Sequence, residues 1–470
     1  MSSLISFSGL ASGVDSSSLI AAMTEATRAQ LIKPYQSQVT DLLETNSVLD
    51  DLKTRFDDLR SILSQFSSIA GGGLKKTTTS SNEAAAGATA SNAALNGTYS
   101  LNVTQLARNG NWSYGHSFSS LDAVVASAAA GHTSGTVTVE VGQGPDMKTI
   151  SVAVASDSTT VSGFVNAFND AAAAQGNAAT ATAVNVGTSS SPDYRIMISS
   201  NATGTSKGTL NITGNVGYLS TALPGGIMTN AENAVFDVNG FTGITRESNS
   251  IGDVVAGVTF NLQGEGSSTI TVSDDSDATA VKIQDFVDAY NEILTLINEN
   301  NQVVRDDTGS EVKNIFQPLA STSIDDNAID ALRNAMAAAV SQVGGTSVNV
   351  FADIGITTQR DGTLKFDRTQ FKNASSSSSA SVNSLLQQFA DTVSSTGGTI
   401  DSFTRFGGGF DLTVTSNRLM IDDMNKRIAE AEKAITSQED SLRARFARLE
   451  AAISRMQSQQ QSLSGILNSL

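Results

Sequence analysis

The chain has 470 residues, a formal net charge of −17 and no cysteine. The negative charge argues against nucleic acid or an anionic membrane as the main partner. No stretch is apolar over the ~18 residues that a membrane-spanning helix needs. Without cysteine the chain forms no disulfide, iron–sulfur cluster or catalytic thiol. The length allows two to four domains. The first basic residue is Arg28, so we expect no ordinary cleaved secretory signal.

Residues 1–34 are interpreted as a flexible segment that contains one short helix. Residues 1–14 are small and polar with scattered apolar residues, and we expect them to be disordered on their own. Asp15 is suited to cap an amphipathic helix. Pro34 should break this helix, because the residue before a proline is pushed out of the α region. The apolar side of the helix consists of Leu19, Ile20, Met23 and Leu31.

A coiled-coil helix is predicted in residues 35–75. Its periodicity extends from Tyr35 to about Ser67, and the three glycines at 71–73 end it. The large residues recur at steps of three and four, the a/d pattern of a coiled-coil seam. Burying each is worth about 1.5–3 kcal/mol, so the stripe needs a partner. The seam residues chosen here are Leu42, Leu49, Leu52, Phe56, Leu59 and Leu63.

Two mainly antiparallel β modules are predicted between residues 76 and 277. The first is discontinuous, residues 76–109 and 231–277, and the second, residues 110–230, is inserted into it. Alternating side chains indicate strands, and Asn239-Gly240 is a turn signal. A short helix is expected near residues 164–174. The predicted strands lie at 99–103, 137–141, 150–154, 196–198, 258–262 and 270–272.

Residues 278–410 are predicted to form a helical domain. The three-four spacing from Ile283 to Ile297 indicates one helix, and weaker helices are predicted at 325–343 and 382–395. A β-hairpin is expected over residues 354–366, because Asp-Gly suits its tight turn. The serine-rich run at 373–381 is predicted to be a loop.

Residues 411–470 carry a second a/d pattern, with Ser416 as a suitable N-cap. The basic cluster of this helix contrasts with the acidic N-terminal helix, so we expect the two to meet within or between chains. The fold class is α+β and elongated: a terminal coiled-coil leg plus a helical domain, with the two β modules inserted as a head. The basic cluster of the C-terminal helix consists of Arg443, Arg445, Arg448 and Arg455. The seam residues here are Ile435, Leu442, Phe446, Leu449, Ile453, Met456 and Leu463.

Side chains suited to catalysis are scarce. The two histidines, His116 and His132, are expected to be isolated surface residues rather than zinc ligands. Asp274, Asp275 and Asp277 lack the glycine and distal glutamate of a calcium loop and should cap the following helix. No nucleophile elbow, dinucleotide fingerprint or phosphate loop is present. We therefore expect no enzyme, no catalytic residue, no metal and no cofactor.

Five stretches taken together resemble the flagellar hook-associated protein 2 family, the flagellar filament cap proteins. They include the small-residue lead-in before the first helix, two β stretches, the late hairpin and the C-terminal helix. Residues 110–230 resemble nothing that we can place. The five stretches are Gly9–Asp15, Gly97–Ala107, Ala234–Leu262, Gly355–Asp367 and Arg445–Gln459.

The resemblance implies a structural cap at the distal end of the bacterial flagellar filament, which promotes flagellin polymerisation and prevents monomer leakage. It implies an extracellular location at the flagellum tip and export by the flagellar type III system without a cleaved signal. The implied partners are further copies in a homo-oligomeric ring, flagellin, the hook–filament junction proteins and an export chaperone. No nucleic acid partner and no membrane insertion are expected. Two other functions stay open: a surface adhesin whose β head binds host glycans or mucin, and another flagellar axial or junction protein.

Overall fold

The computed structural model describes residues 15–306, 313–344 and 347–467. The segment 1–14, expected to be disordered on its own, lies outside these residues. The chain divides into two compact units. We call residues 1–69 and 279–470 the helical unit, and residues 70–278 the β unit.

Most of the helices lie in the helical unit. Two of them, α3 and α4, belong to the β unit, and α5 crosses the boundary between the units. In chain order they are α1 (Ser16–Leu31), α2 (Lys33–Ser64), α3 (Val161–Ala173), α4 (Thr205–Gly208), α5 (Ser276–Asn300), α6 (Ile324–Ala338), α7 (Arg368–Ser394), α8 (Thr399–Thr404) and α9 (Gly409–Leu467).

The strands are short, and every pairing between them is antiparallel. Those up to β15 lie in the β unit. In chain order they are β1 (Lys76–Ser80), β2 (Ala86–Ala90), β3 (Gly97–Gln105), β4 (Asn111–Ser113), β5 (Gly135–Val141), β6 (Lys148–Val154), β7 (Ala179–Asn185), β8 (Tyr194–Ser200), β9 (Leu210–Thr213), β10 (Ile227–Thr229), β11 (Ala234–Val238), β12 (Phe241–Arg246), β13 (Ser250–Val255), β14 (Val258–Leu262), β15 (Gly266–Asp274), β16 (Val303–Asp306), β17 (Lys313–Phe316), β18 (Ile356–Thr358) and β19 (Leu364–Phe366).

The β unit contains two separate hydrophobic cores. One is built on the sheets β1-β15-β3-β11-β12 and β13-β14-β2, with buried residues drawn from both sides of the inserted segment. The other is built on the sheets β10-β4-β8-β7 and β6-β5-β9 with α3, and its buried residues lie between Tyr114 and Leu219. These cores support the predicted division of the β unit into a discontinuous module and an inserted module. We propose this division.

The local predictions for the β unit are confirmed. Each of the six predicted strands lies within an observed strand, and α3 occupies the position of the predicted short helix. The Asn239-Gly240 pair joins β11 to β12 with φ values of 49° and 85°. Positive φ at both central residues is the geometry of a tight hairpin turn, which asparagine and glycine adopt at low cost.

The helical unit confirms most local predictions and corrects two, the loop at 373–381 and the N-cap at Ser416. The predicted spacing from Ile283 to Ile297 lies on the buried face of α5, and β18 pairs with β19 in the predicted hairpin. The serine-rich run at 373–381 is not a loop: its residues are helical except at Ser378, where non-helical dihedral angles kink α7 between two helical segments. The Asp367 carboxylate caps α7 by accepting hydrogen bonds from two backbone N–H groups, and the burial of Phe371 and Val382 anchors both ends of the run.

Two similar turns introduce the last helices. The backbone N–H of Gly397 donates to Asp401 Oδ2 at 2.8 Å, and the N–H of Gly407 donates to Asp411 Oδ2 at 2.8 Å. Both glycines have positive φ, 78° and 70°, which a residue with a Cβ adopts at a cost. The final helix therefore begins at Gly409, and the prediction of Ser416 as its N-cap is wrong.

Candidate functional site on the terminal helices

The two terminal regions of the chain meet in the helical unit. The Phe56 ring on α2 lies 5.7 Å from the Phe410 ring on α9, and the Nδ2 atom of Asn417 donates to Asn46 Oδ1 at 2.8 Å. Residue numbers rise along α2 as they fall along α9, so the two helices run antiparallel.

The shorter helix α1 continues this packing farther along α9. Both the Nε and Nη2 atoms of Arg28 donate to the Glu432 carboxylate, at 3.1 and 3.0 Å. Met23 and Ile435 line the same small crevice between the two helices. Since α1 precedes α2 in the chain, the N-terminal helices cover successive lengths of α9.

The sequence around residue 32 explains the interruption between α1 and α2. Asp15 caps α1, as predicted, and its carboxylate accepts hydrogen bonds from the side chains and backbone N–H groups of Ser17 and Ser18, which lower its pKa to about 2. The helix ends at Leu31, and Pro34 lies in the first turn of α2, where its missing N–H costs no helical hydrogen bond. The fully buried Ile32 fixes the junction between the two helices.

The predicted seam of α2 is enclosed by several helices. Its residues pack toward α7 and α8 as well as α9, because a stripe that contains both heptad rows is wider than one helix can cover. Leu42, the first residue of this seam, is half-buried. The other five, each at most 2% exposed, are Leu49, Leu52, Phe56, Leu59 and Leu63.

The predicted seam of α9 divides into a covered and an open part. Ile435 is 3% exposed, whereas Leu442, Phe446 and Ile453 are half-buried. The structure does not bring the distal seam residues against the seam of α2. The residues left open to solvent are Leu449, Met456 and Leu463, at 53%, 62% and 60% exposure.

An ion pair that the sequence analysis missed ties α2 to the first turn of α8 and the end of α7. The Nη1 atom of Arg60 donates to Asp401 Oδ1 at 2.8 Å, and its Nε atom donates to the carbonyl of Ser394 at 2.8 Å. The hydrogen bond from the backbone N–H of Gly397 is the main cause that lowers the pKa of the Asp401 carboxyl, and the positive charge of Arg60 lowers it further. The repeated Gly-Gly-x-x-Asp spacing was a signal for such a turn, but it does not identify the arginine.

A buried carboxylate at the start of α6 was also missed. Asp325 is fully buried, and neither of its oxygens has a side-chain hydrogen-bond partner in the part of the chain that the structure describes. Burial raises the pKa of this carboxyl to about 6, against the opposing influence of nearby backbone N–H groups. Ile324, the residue before Asp325, lies against Gly409, the first residue of α9. The Asp325 carboxyl group is therefore buried near the start of α9.

The other residues singled out in the sequence have identifiable contacts in the structure. His116 and His132 are not isolated surface residues: the His116 ring stacks on Tyr218 at 3.8 Å, and His132 contacts the same ring edge-on at 4.5 Å. Asp275 accepts a hydrogen bond from the backbone N–H of Ala278 and so caps α5, as predicted. Asp274 does not: it ends β15 and accepts hydrogen bonds from the side chains of Lys76 and Asn96. Within residues 15–306, 313–344 and 347–467, no cluster of three or more metal-ligating side chains is present. None of the helices over those ranges is long and apolar enough to cross a membrane.

The sequence was compared with protein families and with individual relatives. The model for the flagellar hook-associated protein 2 N-terminus matches residues 12–110, and the model for its C-terminus matches residues 231–458. The B-type flagellar hook-associated protein 2 of Pseudomonas aeruginosa is 28% identical over 400 residues, 82% of this chain and 81% of that protein. The A-type protein of the same species is 25% identical, with 99% of each chain covered.

A solved structure has a similar fold. The D1–D2–D3 domains of the flagellar cap protein FliD from Escherichia coli superpose with a TM-score of 0.57 and 23% identity, over 79% of this chain and 99% of that one. The two family models include the helices α1, α2 and most of α9, and together they match more than two thirds of the sequence. The chain therefore belongs to the flagellar hook-associated protein 2 family.

Proposed function

We propose that this protein is a structural subunit of the cap at the distal end of the bacterial flagellar filament. In this role it promotes polymerisation of flagellin, retains monomers that would otherwise leak, and so supports motility. The observation that carries the proposal is the family match at both ends of the chain, which includes the paired terminal helices. It is a role in assembly and requires no catalytic residue.

The open part of α9 supports a role in assembly. Leu449, Met456 and Leu463 recur every seven residues on one side of the helix and remain exposed. Exposed large apolar residues in a row indicate a surface that is covered by a partner. A narrow seam of this kind gives a contact of limited area, which a cap that must accommodate each added flagellin can break and re-form.

The predicted seam residues then divide between two proposed roles. Those of α2 hold the helical unit together, whereas the distal residues of α9 contact other subunits. We propose a homo-oligomeric ring, with flagellin and the hook–filament junction proteins as further partners. An export chaperone that covers the distal seam before assembly would use the same apolar side chains, in the manner of a helix in a groove.

The proposed location is extracellular, at the tip of the flagellum. Export through the flagellar type III system requires no cleaved signal. A strain with an inactivated flagellar export apparatus should retain the full-length protein inside the cell. Secretion at the normal level in that strain would contradict this route.

Deletion of the gene tests the capping function directly. Cells without this chain should release flagellin monomers into the medium and build no filaments, and the wild-type chain should restore both. Filament number is counted by electron microscopy, and secreted flagellin is measured by immunoblotting. Normal filaments in the deletion strain would refute the proposed function.

A variant of the open seam tests the surface. The triple change Leu449→Asp, Met456→Asp and Leu463→Asp should leave the isolated protein folded but fail to restore filaments. The matched control places the same three charges on exposed polar positions of the same helix and keeps the apolar seam intact. Equal complementation by the two variants would exclude the seam from the assembly contact. The control changes are Ser454→Asp, Ser458→Asp and Ser462→Asp.

A further inference from the structure

The distal part of α9 presents a ridge of apolar residues beside a row of positive charge. Leu449, Met456 and Leu463 form the ridge, which we call the distal ridge. Arg448 and Arg455 are exposed, are also seven residues apart, and lie along one flank of it. The surface is therefore both apolar and basic.

The solvent face of α2 has the complementary form. Its centre consists of the small exposed residues Ser47, Thr54 and Ser61, again seven residues apart, and we call it the acidic groove. Acidic side chains border it on both sides. One row is Asp50 and Asp57, and the other is Glu44, Asp51 and Asp58; all five are exposed. Of these five, Asp51 approaches Arg55 of its own helix at 3.6 Å.

The repeats of the two surfaces match. Seven helical residues advance about 10.5 Å, so the ridge residues and the small residues of the groove recur at the same distance. Large side chains of one helix then fit between the acidic borders of the other, as ridges fit into grooves. Arg448 and Arg455 are seven residues apart, as are Asp50 and Asp57. Both arginines can therefore lie beside an aspartate in the same contact.

The two surfaces of one chain cannot reach each other. Asn417 contacts Asn46 where α9 meets α2, and Leu449 lies 32 residues farther along the same uninterrupted helix. At about 1.5 Å per residue this separation is roughly 50 Å. The antiparallel α2 places its residues 47–61 in the opposite direction along α9. The groove that receives a distal ridge must therefore belong to another molecule.

We propose that the distal ridge of one copy binds the acidic groove on α2 of a second copy. The inference rests on the proposed function, in which copies of the chain assemble. The contact is heterologous, because it joins two different patches, and it can continue from copy to copy until a ring closes. A contact between two helix faces has a limited area, so it contributes to an assembly rather than sustaining one alone. Exposed charge pairs make it sensitive to salt.

Cysteine cross-linking tests the contact without background, because the natural chain has no cysteine. One population of the full chain carries Thr54→Cys, another carries Met456→Cys, and each has a different affinity tag. Mixing and mild oxidation should give a disulfide-linked dimer that contains both tags. The matched control replaces Met456→Cys by Ser458→Cys, which is exposed on another side of α9. Equal yields from the two mixtures, or no mixed dimer, would overturn the proposal.

A charge exchange tests the pairing independently. Arg448→Glu with Arg455→Glu should raise the concentration needed for half-maximal association by about tenfold, the loss expected for two exposed ion pairs that become repulsive. Adding Asp50→Lys with Asp57→Lys, or Asp51→Lys with Asp58→Lys, should restore it. Light scattering measures the association, and circular dichroism verifies that each variant is folded. Failure of both exchanges to restore association would contradict the contact.

The gene deletion separates this inference from the proposed function. If the deletion strain leaks flagellin but the cysteine pair gives no specific dimer, the protein is a cap and this contact is wrong. If the specific dimer forms but the deletion strain builds normal filaments, copies associate through α9 and α2 and the capping function is wrong.

Discussion

The proximal and distal parts of α9 have the same sequence pattern but different surroundings. In the proximal part, Phe410, Val414, Ile421 and Ile435 are buried, and Asn417 pairs with Asn46 of α2. In the distal part, residues at equivalent spacing reach solvent, among them Leu449 and Met456. The difference shows that an a/d pattern indicates which face of a helix needs a partner. It does not indicate whether that partner lies in the same chain.

The largest expected effect comes from the proximal part. Phe56→Ala removes a fully buried ring that contacts Phe410, and the cavity should cost about 3–5 kcal/mol of unfolding free energy. Urea denaturation followed by circular dichroism measures this loss. Leu43→Ala, on the exposed side of the same helix, is the control and should change stability by less than about 0.5 kcal/mol. Similar losses for the two variants would show that α2 is not packed as described.

The sequence allowed prediction of what is encoded locally. The caps, the alternating strands and the stripe of α2 are each set by residues within a few positions of one another. Asp15 and Asn239-Gly240 were therefore interpreted correctly, and the stripe from Leu49 to Leu63 is buried. Two features of the structure were not evident from the sequence for the same physical reason. The serine run in α7 is helical because buried residues flank it, and α2 is covered by three helices because its stripe is wide. Both outcomes depend on tertiary packing, which the periodicity of the sequence alone does not specify.

The candidate site was predictable to a similar extent. The seam residues were predicted from their spacing, but the pattern could not indicate that Leu449, Met456 and Leu463 are exposed. Arg60, Asp401 and Asp325 were missed because single charged residues have no periodicity. The shared contact of two histidines with Tyr218 joins residues far apart in sequence and was not expected either.

A pH-dependent effect should arise where α9 begins. The pKa of Asp325 is about 6 in the folded protein, above its ordinary value of 3.8, so the folded state holds this proton more tightly than the unfolded state. The resulting stabilisation is fully present below about pH 4 and is lost as the pH rises through 6. We expect the wild type to lose about 1–3 kcal/mol over this range relative to Asp325→Asn.

Urea denaturation at several pH values between about 3.5 and 7.5 measures that difference. Asp326→Asn is the neighbouring control: Asp326 lies in the same first turn and has no comparable burial. Parallel pH profiles for the wild type and Asp325→Asn would show that the Asp325 carboxylate is solvated or paired in solution.

A smaller effect is expected from the polar pair in the proximal interface. Asn417→Ala leaves the buried Asn46 Oδ1 without its donor and should cost about 1–2 kcal/mol. Asn46→Ala should cost a similar amount, and the double variant should cost less than the sum because the two side chains act on each other. Ser416→Ala, exposed on the same turn of α9, is the control. Strictly additive losses would mean that the two amides do not interact.

The smallest effect on stability should come from the distal part. Leu449→Ala removes a side chain that is already 53% exposed, so the isolated protein should lose less than about 0.5 kcal/mol. Ile435→Ala, 3% exposed on the same helix, is the matched change and should cost about 2–4 kcal/mol. Both are measured by urea denaturation at a protein concentration low enough to keep the chains apart. A loss for Leu449→Ala as large as that for Ile435→Ala would mean that the distal ridge is already covered within a single chain. In that case the division of α9 into a covered and an open part would be wrong, and the ridge would no longer be available to a second copy.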